Sequence, residues 1–169
     1  MGELKSENHL MLDFETLDTG NMPALLSIGA VVFNPYDNQV PFIDFERIIE
    51  TESTIKLGGT VSFSTIKWWM QQSSEARMKI TKPESTPQTA KEAFIGLAAF
   101  CATNKVKKVW GHGSTFDVVI AENYFKAIGI DIPWKYWDAR DTRTLYDLTG
   151  IERTPITLKH SALEDARGQ

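Results

Sequence analysis

Apolar and polar positions along the chain fall into two successive textures, the first strand-like and the second mostly helical. His9–Phe14 is a short apolar run that reads as a first strand. Ala24–Phe33 reads as a second, and Asn34–Asn38 supplies a turn after it. Phe42–Ile49 alternates loosely and predicts a third. Short links between the three favour an antiparallel meander. The texture then changes. Ser62–Gln72 opens with hydroxyls and carries Ile66, Trp68, Trp69 and Met70, predicting a short helix capped by Ser62 or Ser64. Ser74–Lys79 adds a turn or two, and Thr81–Pro87 reads as a linker.

Pro87 suits the first turn of the next helix behind Thr86 as its cap. In that helix Phe94, Leu97, Ala98 and Cys101 recur at steps of three and four. Lys107–Gly111 predicts a short strand, and Phe116–Ile128 a helix ended by Gly129. Tyr136–Asp138 reads as a last short strand, and Thr142–Leu148 and Ser161–Gln169 as helices, the final one of about two turns. No internal repeat or low-complexity tract interrupts the pattern. The expectation is one α/β domain over residues 1–169. Its mixed five-stranded sheet has three antiparallel strands, then parallel ones, flanked by helices.

Composition narrows this only slightly. A chain of 169 residues can bury a real core, and 42% hydrophobic with 24% charged residues is ordinary for a globular protein. The formal charge of −4 gives no reason to expect nucleic-acid binding through net charge alone. A single cysteine, Cys101, excludes an internal disulfide and fits a reducing, cytoplasmic setting. No apolar run approaches a membrane span, and the amino terminus lacks an apolar signal core. Gly2 and Ser6 match a myristoylation pattern permissive enough for chance to explain it.

The chemistry starts with Asp13 and Glu15. Residues i and i+2 of a strand share a face, so two carboxylates leave one side of a strand that otherwise looks buried. Such a pair is expensive without positive charge, and a divalent metal is the simplest compensation. Asp117 opens an apolar helix after a glycine-rich turn, where the helix dipole favours any acid. Asp165 lies five residues after His160, near the start of the last helix. Taken singly, Asp117 is an ordinary first-turn acid, Asp165 a solvated helix acid and His160 a loop histidine. Their order along the chain changes those odds.

Asp13-Phe-Glu15-Thr16, then His112-Gly-Ser-Thr-Phe-Asp117, then His160-Ser-Ala-Leu-Glu-Asp165 resembles the three motifs of the DEDD exonuclease superfamily. The match is to its histidine-containing, DnaQ-like branch; the tyrosine branch would place Tyr where Ser161 stands. Ser64–Arg77, with its paired tryptophans, and Trp134–Thr144 are similar to a narrower subgroup, that of phage exonuclease A and a mycobacterial exoribonuclease.

The resemblance implies an RNase H-like fold and 3′→5′ hydrolysis of single-stranded nucleic acid to nucleoside monophosphates. Asp13, Glu15, Asp117 and Asp165 would hold two divalent cations, Mg2+ or Mn2+, and His160 would be the general base. Thr16 is implied at the terminal nucleotide. Trp68 and Trp69 are candidates for base stacking, one of them expected to pack inward. His112 lines the site or is a turn histidine; Arg143 contacts phosphate or pairs with Asp141. The partner implied is a nucleic acid with a free 3′ end, with no membrane, and a homodimer is an expectation carried by relatives. DNA is slightly favoured over RNA as substrate. An exoribonuclease is the alternative, and a non-catalytic nucleic-acid-binding module on the same fold a further one.

Overall fold

The three amino-terminal runs form a meander, and its first strand becomes the centre of the sheet. A computed structural model describes residues 7–37, 39–82, 85–113, 115–151 and 160–169. β1 (Asn8–Thr16) pairs antiparallel with β2 (Leu25–Phe33), and β2 with β3 (Ile43–Ile48). β4 (Val106–Gly111) lies parallel to β1 on its other side, and β5 (Ala139–Asp141) lies parallel to β4. The sheet order is therefore β3-β2-β1-β4-β5. The helices are α1 (Thr51–Lys56), α2 (Phe63–Met70), α3 (Ser74–Thr81), α4 (Ala90–Thr103), α5 (Asp117–Ile128), α6 (Thr142–Thr149) and α7 (Ala162–Gly168).

Strand alternation divides the core in two. Leu10, Leu12 and Phe14 point to the face covered by α4 and α5, where they join Phe94, Leu97, Ile120, Tyr124 and Phe125. Met11 points to the opposite face, where it meets Val31, Ala166 and Leu163 beneath α7. Asp13 and Glu15 continue the odd-numbered series, so they share the α7 face. β2 carries a glycine where α7 lies closest. A Cβ on Gly29 would come within 2.1 Å of Ala162 backbone. A bare backbone in the strand lets the helix rest directly on it.

Three expectations are corrected, and one further helix is present. Tyr136–Asp138 is a 3₁₀ turn, and the strand follows it at Ala139–Asp141. Tyr136 and Trp137 are largely exposed, and the Asp138 N–H closes the turn on the Lys135 carbonyl at 2.8 Å. The helix expected behind Thr86 starts at Ala90, because Gln88 is held in a bridge: its N–H reaches Ile48 and its carbonyl accepts from Glu50. Thr89 then caps, with Glu92 completing a reciprocal capping box. The Ser62 hydroxyl bonds Ser64 rather than capping α2. α1 was not anticipated at all. It is six residues long and mostly polar, and only Thr54 is buried. The Gly2–Ser6 pattern lies outside the described residues. Among those described, no helix is long and apolar enough to cross a membrane.

Candidate active site

The acids converge where β1 outruns its parallel neighbour. The β1–β4 ladder ends at Met11 opposite Trp110. Past it, the Phe14 N–H donates to Asp117 Oδ1 at 3.2 Å. This bond draws the first residue of α5 back onto β1. Gly111 lies beside Asp117 at this corner, where a Cβ would be in ordinary contact with the Asp117 side chain at 3.4–3.5 Å.

α7 brings the remaining acid from above the sheet. Asp165 is in its first turn and accepts the His160 backbone N–H at 3.1 Å. His160 has φ +63, a left-handed conformation uncommon outside glycine. This tight turn holds the His160 backbone on Asp165, and His160 and Glu15 line one small pocket. Oxygens of Asp13, Glu15 and Asp165 all lie within 4.8 Å of one another. Asp117 stands outside that trio but is near enough to act on Asp13 and Glu15.

Electrostatics show the strain of this grouping. Burial, then the neighbouring Asp117, Glu15 and Asp165, pushes the Asp13 carboxyl well above the usual carboxylate range. Burial, then Asp165 and Asp117, raises Glu15 to about 8, against a downward pull from Lys79. Burial raises Asp117 to about 7, opposed by N–H donors at Phe14, Asp117 and His112 and by the Arg143 charge. Lys79 and Arg143 only partly offset the crowding of these carboxyls. The donor set is oxygen only, which fits hard divalent ions such as magnesium or manganese better than zinc.

His160 sits in a tryptophan notch. Its ring is edge-on to Trp68, with centroids 4.7 Å apart, and to Trp69 at 5.9 Å. Trp69 is buried and donates its indole N–H to the Thr16 carbonyl at 2.9 Å. Trp68 is 41% exposed and turns outward from the same helix. Thr16 is mostly buried, its hydroxyl bonded to the Asp18 carbonyl at 2.7 Å. His112 lies one strand over, with Nδ1 2.9 Å from the Thr142 hydroxyl. Arg143 is exposed at the start of α6. Asp141 takes it through its backbone N–H at 3.0 Å, while also holding the Gly113 N–H at 3.1 Å. The structure thus gathers Asp13, Glu15, Asp117, Asp165 and His160 in one place, with Thr16, Trp68 and Trp69 beside them. His112 and Arg143 lie on the Asp117 side.

Sequence reasoning missed two polar contacts to the site. Gln169 donates its side-chain amide to Asp13 Oδ1 at 2.7 Å. Lys79 donates to the Ser161 hydroxyl at 2.9 Å. Neither residue carries a local pattern that marks it. Gly29, in a strand of otherwise mostly larger residues, did carry one: an interior strand glycine signals close backbone approach.

A five-stranded mixed sheet of this order, with acids from β1, α5 and α7 meeting past the end of the β1–β4 ladder, is the RNase H-like architecture that the motifs imply. Residues 8–169 match the Rv2179c-like 3′–5′ exoribonuclease domain, and the chain belongs to that family. It is similar to the exodeoxyribonuclease of Enterobacteria phage T4, 26% identical over 175 residues, covering 87% of this chain and 74% of the phage protein. The fold is shared with E. coli exonuclease I, solved in complex with a dT13 oligonucleotide. That likeness has a TM-score of 0.61 at 14% identity and covers 96% of this chain. The chain spans 39% of the exonuclease I chain.

Proposed function

We propose that this protein removes nucleoside monophosphates one at a time from the 3′ end of single-stranded nucleic acid, with His160 as general base. The observation that carries the reading is the trio Asp13, Glu15 and Asp165 within 4.8 Å, with His160 on the turn leading to Asp165. These three acids and Asp117 would hold two divalent cations. Such ions, when bound, acidify a water and neutralise charge on the leaving 3′ oxygen. The protein's own groups do the rest. His160, packed edge-on against both tryptophans, takes the water's proton at an imidazole nitrogen. Trp68 offers its exposed face to the terminal base, and the Thr16 segment supports the nucleotide beside β1. Arg143 and His112 lie towards Asp117 and are assigned to the flanking phosphate and sugar.

DNA is the first reading of the substrate, supported by likeness to the phage exodeoxyribonuclease. An exoribonuclease is the second, favoured by the family description over residues 8–169. Discrimination rests on the 2′-hydroxyl. Labelled single-stranded DNA, single-stranded RNA and duplexes with 3′ overhangs, each with magnesium or manganese, separate these readings. Stepwise mononucleotide release that disappears in D13A and falls sharply in H160A is the expected result. Tight binding without turnover would instead make this a non-catalytic module. A cytoplasmic setting and a homodimer belong to the same reading. The lone buried Cys101 supports the first, and exposed Tyr136, Trp137 and Leu148 around β5 and α6 support the second. Sedimentation of the purified chain checks the dimer.

A further inference from the structure

The turn bearing His160 is held from a direction that the acids do not explain. Ser161 is 4% exposed and occupies the position before α7 where a serine ordinarily accepts a helix N–H. Its side chain makes no such bond here. The hydroxyl instead accepts Lys79 Nζ at 2.9 Å, from a helix 82 residues earlier. Lys79, Glu15, Ser27, His160 and Ser161 line a pocket of about 20 Å³, room for roughly one water.

α3 is in turn braced to α2, since Arg77 donates from its guanidinium to the Met70 carbonyl at 2.7 Å. The helix that carries Trp68 and Trp69 and the lysine that grips Ser161 therefore belong to one connected unit. His160 at φ +63 lies between the two attachments, and such a backbone persists only where its surroundings hold it.

We infer that Lys79 is a positioning residue for His160, clamping the His160–Ser161 turn to α3 so that the imidazole stays in the tryptophan notch. The inference rests on the reading of His160 as general base, but its geometry is measurable without turnover. With 13C-labelled histidine the protein gives ring signals from three histidines, and an H160Q variant assigns that of His160. The edge-on tryptophans should displace the His160 signals by ring currents. K79M should return them towards free-histidine positions, S161A should do the same in part, and K79R should preserve most of the displacement.

In the degradation assay K79M should lower kcat by about tenfold or more with KM within about twofold, because a displaced base impairs chemistry more than binding. Far-UV circular dichroism confirms that each variant is folded. Should K79M unfold, K79R and S161A carry the comparison. Unchanged His160 signals in folded K79M or S161A would overturn the inference. So would a rise in KM at constant kcat, which marks a phosphate anchor. If wild type shows displaced signals that K79M loses but no turnover, the positioning stands and the exonuclease reading fails.

Discussion

Gly29 lies directly beneath the Ala162–Leu163 peptide, so that a methyl group on β2 would stand 2.1 Å from the Ala162 carbonyl carbon. No side-chain rotation relieves that overlap; α7 itself must move. Because α7 carries Asp165, and the His160 turn leads into it, the packing of one strand residue sets the position of two site residues. G29A is expected to lose about 1–3 kcal/mol of stability, as overpacking does. A displacement near 1 Å is expected to lower kcat by about a hundredfold. Thermal melts and initial rates on the same preparation check both, and a G29A protein with wild-type turnover would show that α7 does not set the site.

Without metal the site works against the fold as pH rises. Folded-state values for Glu15 and Asp117 are raised to about 8 and about 7, and Asp13 is also raised, so the folded state binds more protons than the unfolded one. Stability then falls with pH between about 4 and about 8. The loss grows by roughly 1.4 kcal/mol for each tenfold difference in proton affinity between the folded and unfolded chain. Melting temperatures in chelator should therefore drop from pH 5 to pH 8, and saturating magnesium should remove most of the drop. A flat metal-free profile across that range would contradict the grouping of buried charges.

Asp117 separates charge from hydrogen bonding. Its Oδ1 receives the Phe14 N–H, and asparagine keeps an acceptor there. D117N should therefore fold, and at pH 8 without metal it should melt higher than wild type. It should also lose at least about a hundredfold in kcat, as expected for a group whose charge is needed in the reacting complex. Loss of stability in D117N would mean that the carboxylate is mainly structural.

How much of this was legible in the sequence follows from the range of each interaction. The β1 acids were legible because alternation along a strand is local: Asp13 and Glu15 had to share a face. The meander was legible from three apolar runs and short links. Asp117, Asp165 and His160 were legible only through motif order, since nothing local tells a ligand from a helix-start acid. β5 was misplaced by three residues because Tyr136 and Trp137 look like strand residues, yet no neighbouring strand covers them. The α4 start was misplaced because the Gln88 bridge to β3 is a long-range bond that overrides a good Thr-Pro helix start. Lys79 and Gln169 escaped notice for the same reason, their partners lying 82 and 156 residues away.

The adjacent tryptophans provide the sharpest contrast between structure and recognition. Trp69 is buried and its indole N–H satisfies the Thr16 carbonyl, so W69F leaves that acceptor without its donor. It should cost about 1–3 kcal/mol of stability. Through the movement of Thr16 and His160 it should also lower kcat. Trp68 is 41% exposed and gives its backbone carbonyl, not its ring, to hydrogen bonds on α2. W68A should leave the melting temperature within a few degrees of wild type. Loss of one stacked base is worth about 1–3 kcal/mol, so KM or Kd for a single-stranded oligonucleotide should rise by roughly 5- to 150-fold. W68A also removes the closer of the two rings that flank His160, so a modest fall in kcat should accompany the change in binding. Melts, steady-state rates and fluorescence anisotropy on the two variants decide the matter. If W68A binds single strands as wild type does, the exposed indole serves only to hold His160, and the base must stack elsewhere.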